Sequence, residues 1–214
     1  MGRQYEGKGR LPYLATEEDP GSNTMNASDT QRPDLVEKML ASGPTSQCSD
    51  ALGRFLALQT STRIAGAFLD LTDQVPLSTI WIHSGLQDMS KLVTVGEDDS
   101  LLQQGRDLLG FDLRLAFHRQ DLHGFINDMA KQKFDFIHCA YPTAVVKQSQ
   151  VVHLLEMGGM AVFSHPKSLL LAEEAMDEVK LHKWQVMAGG QPISLVTKGS
   201  IIRKRRGGRN RNHG

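Results

Sequence analysis

The chain has 214 residues, 40% of them hydrophobic and 22% charged, which suits one ordinary domain with polar ends. Its 24 basic and 24 acidic residues balance, but six of the basic ones lie in 203–214 with no acid among them, so the rest carries a net charge of −6; that sign excludes a domain that binds nucleic acid throughout. Two cysteines exclude a disulfide framework and a cysteine metal cluster, and no apolar run approaches the roughly 20 residues of a membrane span, so a cytoplasmic chain is expected.

Residues 1–33 lack apolar periodicity and any apolar stretch of signal-peptide type; they are expected to form a disordered leader. The folded domain is expected over 34–200, and 201–214 as a basic, disordered tail. Residues 34–41 (DLVEKMLA) have helical spacing in Leu35, Val36, Met39 and Leu40. After a break at Gly43-Pro44, Ser49-Asp50 can cap a second helix through 51–59. The period then changes. A short apolar strand over 67–71 follows, then a helix over 78–85 (STIWIHSG) and a strand over 91–95 (KLVTV). Next come a helix at 100–109, a strand at 112–117, a helix at 122–132 and a strand at 134–139 (FDFIHC). A helix over 145–155 is expected to end at Met157-Gly158-Gly159, before a strand at 160–163, a helix at 169–179 and a hairpin of 183–187 with 193–197. Strands alternating with helices predict an α/β fold with a mostly parallel sheet, and the hairpin an antiparallel end.

Ligands of such sheets bind outside the carboxyl ends of the strands. That directs attention to 70–78, 96–99, 118–122, 139–143 and 164–167. His138 and His165 fall at two of these ends, and a neutral imidazole there can act as general base towards a hydroxyl. His118 lies near a third. His83, beside Trp81, reads as a packing or surface residue. Cys139 reads as a buried strand cysteine; as a nucleophile it would need His138 or His165 as its base. A soft metal cluster of His138, Cys139 and His165 lacks paired spacing.

The text LDLTDQVPLSTIW…KLVTVGEDD, with KFDFIHCAYP, LLEMGGMAVFSHP and LVTKGS in order behind it, resembles the small S-adenosylmethionine-dependent O-methyltransferases of the catechol and caffeoyl-CoA type. The resemblance spans about 35–198. It implies a Rossmann-like class I methyltransferase fold with helices on both faces, S-adenosylmethionine as cofactor and a small hydroxylated substrate. Carried over residue by residue, it assigns cofactor binding to Asp70, Thr72, Ser78, Glu97 and Asp121; His165 and His138 stand as the candidate bases by their place at the strand ends.

The chain departs from that pattern at several points. The family's glycine-rich turn falls on Thr72, Gln74 and Pro76, whose side chains occupy space that glycine leaves open. The ribose-binding acid falls on Gly96, with Glu97 one place along. The magnesium ligands fall on Ala140, Ser164 and His165, so no metal is expected, since hard cations require carboxylate or carbonyl oxygens. Two readings follow: a divergent, metal-independent O-methyltransferase, or a non-catalytic protein of the same fold that binds partners. A homodimer and a weak nucleic-acid contact through 203–211 are the expected associations.

Overall fold

The structure, a computed structural model, describes residues 32–42, 48–72, 77–168 and 180–199. The expected leader up to 31, the helix at 169–179, residues 74 and 76 of the glycine-turn comparison, and the basic tail lie outside them. Arg32, placed in the leader by sequence, belongs to the described unit and pairs with Glu37 and Asp50.

Two helices lead in, α1 (Asp34–Ser42) and α2 (Asp50–Ser61). The chain then alternates as β1 (Ala67–Leu71), α3 (Leu77–Ser84), β2 (Lys91–Gly96), α4 (Asp99–Leu109), β3 (Leu115–Arg119), α5 (Leu122–Asp128), β4 (Phe134–Cys139), α6 (Gln148–His153) and β5 (Leu155–Phe163). A hairpin of β6 (Lys180–Ala188) and β7 (Gln191–Gly199) closes it. The sheet has seven strands in the order β3-β2-β1-β4-β5-β7-β6. Its first five strands are parallel, and β7 runs antiparallel to both β5 and β6. Strand order reverses between β1 and β4, which makes their carboxyl ends the switch point.

Alternation along each strand sorts the core into two layers. Leu69, Leu71, Ile137, Cys139, Ala161 and Phe163 pack under α5 and α6. Phe68, Phe136 and Val162 point the other way, under Leu52 and Leu56 of α2 and Ile82 of α3. Both faces are thus covered, as a parallel sheet requires. Each fully buried Leu or Phe contributes about 1.5–3 kcal/mol before entropy is counted. No helix among the described residues is long and apolar enough to cross a membrane.

Several expected boundaries are corrected; the strand expected at 160–163 begins at Leu155, and the hairpin strands expected at 183–187 and 193–197 span Lys180–Ala188 and Gln191–Gly199. The strand expected at 112–117 begins at Leu115, because the Asp112 carboxylate accepts the Arg114 amide at 2.9 Å and holds 112–114 in a turn. The helix expected at 122–132 stops at Asp128, where Met129 caps it through Phe125 O. The helix expected at 145–155 spans only Gln148–His153. Val145 and Val146 instead donate to Pro142 O in a turn, and Phe134 N takes Leu154 O at 2.9 Å, drawing the next residue into β5. The Met157-Gly158-Gly159 stretch therefore lies inside β5, not at a helix end. It forms a bulge, with Gly158 at φ +83. A Cβ on Gly159 would sit 2.9 Å from Glu156 O and 3.1 Å from Phe134 O, which only glycine avoids.

Candidate functional site

The register of the parallel strands brings a row of polar side chains to the switch point. Asp70 stands opposite Thr94 of β2 and opposite His138 of β4. Val162 of β5 stands opposite His138, and Ser164, two residues on, continues on the same side. The hydroxyls of Ser78 and Thr79, in the first turn of α3, come down on this row.

The row is hydrogen-bonded throughout. His138 Nδ1 lies 2.8 Å from Asp70 Oδ1, and a carboxylate only accepts, so Nδ1 carries the proton. With the ring neutral, Nε2 is the acceptor, and Ser164 Oγ donates to it at 2.8 Å. Ser78 Oγ donates to Asp70 Oδ2 at 2.9 Å and Thr79 Oγ1 to the same oxygen at 2.6 Å. Thr94 Oγ1 adds a longer contact of 3.4 Å to Thr79 Oγ1. Asp70 is 0% exposed, His138 1% and Ser164 5%. Burying a carboxylate is costly unless it is fully hydrogen-bonded; three donors and the start of α3 meet that need here.

Beside this row the ends of β1 and β2 are closed. Thr72 N donates to Val95 O at 3.1 Å, continuing the ladder past Leu71. The Thr72 carbonyl accepts Tyr141 Oη at 3.1 Å, and both residues are buried. A Cβ on Gly96 would come within 2.9 Å of Thr72 O. The place where the resemblance puts a ribose-binding acid is thus pressed against backbone.

Glu97 and Asp121 are exposed, just beyond β2 and β3. Asp121 caps α5 by accepting Gly124 N at 2.8 Å. Asp98 caps α4 through Ser100 and Leu101, and its hydrogen bonds with Ser100 hold its carboxyl below the ordinary range.

The structure unites Asp70, Ser78 and His138, and sets Thr72 beside them. His165 is not part of the cluster. It is half-buried beyond β5, and its Nδ1 accepts Lys167 N at 3.1 Å, which leaves the proton on Nε2. Cys139 neighbours His138 in sequence but points to the opposite face of the sheet, into the α5–α6 layer. His83 is bound to Asp112 at 3.0 Å. His118 packs on Phe125. Ser164, Thr79, Thr94 and Tyr141 were not singled out by sequence as members of this cluster. The signal for Ser164 was its even spacing from Val162; its partner across the sheet depends on register.

The residues do not fit a magnesium ion. The positions in question hold Ala140, Ser164 and His165, with the Ser164 hydroxyl committed to His138. Among the described residues no group of three or more His, Cys, Asp or Glu side chains could hold a metal.

No family model matches the chain, and no curated protein matches it. Solved structures do. The O-methyltransferase of Bacillus cereus, in complex with SAH, has a TM-score of 0.63 at 16% identity, over 80% of this chain and 95% of that one. TomG of Streptomyces achromogenes, an O-methyltransferase of tomaymycin synthesis in complex with SAM, gives 0.63 at 15%, over 79% and 92%. A methyltransferase of Geobacter sulfurreducens gives 0.61 at 16%, over 81% and 93%. The chain has the fold of these proteins, a Rossmann-like methyltransferase fold with an antiparallel end, as the resemblance implied.

Proposed function

We propose that the chain derives from S-adenosylmethionine-dependent O-methyltransferases and now acts as a binding module of that fold, without metal-dependent methyl transfer. The observation that carries this reading is the enclosure of Asp70. The acid that would face the cofactor's methionine end is fully buried, and its oxygens accept His138, Ser78 and Thr79. Thr72, at the start of the same turn, is closed by Tyr141. Neither imidazole has an acceptor nitrogen free for a substrate hydroxyl, since His138 Nε2 accepts the Ser164 hydroxyl and His165 Nδ1 the Lys167 amide.

Glu97 favours a second reading, a divergent, metal-independent O-methyltransferase acting on a small hydroxylated substrate. It is exposed at the end of β2, where it could hold a ribose, with Asp121 near the adenine. In that reading Asp70, Thr72 and Ser78 would serve the methionine end and His165 or His138 would act as base.

Isothermal titration with S-adenosylmethionine, with and without magnesium, separates the two. A closed methionine end leaves a Kd on the order of 0.1 mM or weaker, about 2.8 kcal/mol short of a ~1 μM binder. Magnesium should leave it unchanged. Low-micromolar binding abolished by Glu97→Ala would favour the enzyme; strengthening by magnesium would sink the metal-free premise of both readings.

The binding role extends to the basic stretch 203–211, assigned a weak contact with nucleic acid or an acidic partner. Retention on heparin should fall steeply with salt and vanish when the tail is deleted. A homodimer is the proposed assembly, and light scattering of the full chain measures it.

A further inference from the structure

We propose that Ser164 is a nucleophile, activated by His138 and Asp70 for transfer of acyl groups from activated esters or thioesters. The relay is a chemistry separate from methyl transfer and goes beyond the binding role argued above. It rests on the order of three side chains. Asp70 holds Nδ1–H of His138 at 2.8 Å, and His138 Nε2 accepts Ser164 Oγ at 2.8 Å. A carboxylate that fixes the imidazole tautomer, and an imidazole poised on a serine hydroxyl, are the parts a serine nucleophile requires.

The rest of the cluster keeps these parts in place. Ser78 and Thr79 hold the far oxygen of Asp70, so the carboxylate cannot turn away from the ring. Ser164 N donates to Cys139 O at 3.1 Å, and Gln191 Nε2 donates to Ser164 O at 2.9 Å. The serine backbone is therefore clamped on both sides while its Oγ faces His138. The site also lies where β5 leaves the sheet, next to the half-buried His165, at the strand ends where this architecture places ligands.

In the step itself, Ser164 Oγ forms a bond to the acyl carbon as its proton passes to His138 Nε2. The bond from the acyl carbon to the leaving oxygen or sulfur breaks, and that atom takes the proton from His138. Water then attacks the acyl–serine, giving its proton to His138, and Ser164 Oγ leaves and recovers it. The net change is ester plus water to acid plus alcohol, or thioester plus water to acid plus thiol. Because the Ser164 amide is committed to Cys139, it does not serve as an oxyanion donor. That directs the relay to substrates with good leaving groups, such as aryl esters and thioesters.

The test uses the full chain, a fluorophosphonate probe and p-nitrophenyl acetate. Peptide mass spectrometry of the labelled wild-type protein should place the adduct on Ser164, and p-nitrophenol release should show a burst approaching one equivalent. Ser164→Ala should lose both, His138→Gln should slow labelling at least tenfold, and Ser61→Ala, on the exposed end of α2, should behave as wild type. A merely structural network would leave Ser164 no more reactive than other serines. Absence of an adduct at Ser164 in the folded wild type overturns the proposal, as does equal labelling of a folded His138→Gln. Mapping the wild-type adduct requires no variant to fold. Neither readout involves S-adenosylmethionine, so failure here and failure of the cofactor titration are distinguishable.

Discussion

The hydroxyl of Tyr141, just past β4, donates to the carbonyl of Thr72, just past β1, at 3.1 Å in a buried setting. One side chain thereby joins the two strands that flank the switch point. Tyr141→Phe keeps the ring and removes only the donor, leaving the Thr72 carbonyl without it. A loss of about 1–2 kcal/mol is expected in urea denaturation; a change within 0.3 kcal/mol would mean that the bond adds nothing.

Gly96 tests the same closure from β2. A Cβ there would lie 2.9 Å from Thr72 O, a backbone atom that cannot rotate aside. Gly96→Ala should cost about 1–3 kcal/mol through the forced backbone shift. A neutral outcome would show that β1 and β2 separate easily and that the crevice can open to a ligand.

Asp70 anchors the polar row. Asp70→Ala removes the acceptor of His138, Ser78 and Thr79 together, leaving buried donors unpaired. The expected loss is about 3–5 kcal/mol, since three buried donors lose their acceptor at about 1–3 kcal/mol each. Ser78→Ala, which leaves Thr79 and His138 in place, should lose only about 1 kcal/mol. Thermal unfolding of the two variants side by side measures the difference.

Asp112 predicts a pH dependence. Its carboxyl is held well below the ordinary carboxylate range, first by the hydrogen bond from Arg114 and further by the Arg114 amide and His83. The folded pKa is thus below the unfolded value of about 3.9. The stabilisation is present above that value and is lost as pH falls through the depressed folded one. Asp112→Asn should be less stable than wild type by about 1–2 kcal/mol at pH 7, and the gap should hold down to about pH 5. Below about pH 4 it should narrow. A gap that stays constant into strong acid would remove the ion pair as its cause.

Much of this architecture was legible in the chain. The alternation of short apolar runs with helical spacings led to a parallel α/β sheet with an antiparallel end, because period and strand length are local properties. The boundaries that slipped did so where a distant or polar partner competes with local pattern. Asp112 captures the Arg114 amide, and Phe134 draws Leu154 and Leu155 alongside β4.

By itself the sequence determined which residues are absent: glycines at 72, 74 and 76, and carboxylates at 140, 164 and 165. It also marked Asp70, Thr72, Ser78, Glu97, Asp121, His138 and His165 as the chemistry-bearing residues near strand ends. The tertiary structure alone decided which of them meet. His138 and Cys139 are adjacent in sequence yet lie on opposite faces of the sheet, since successive strand side chains alternate. Asp70, His138 and Ser164 are far apart in sequence yet consecutive in one hydrogen-bonded row, because strand order and register, set by packing across the whole sheet, align β1, β4 and β5.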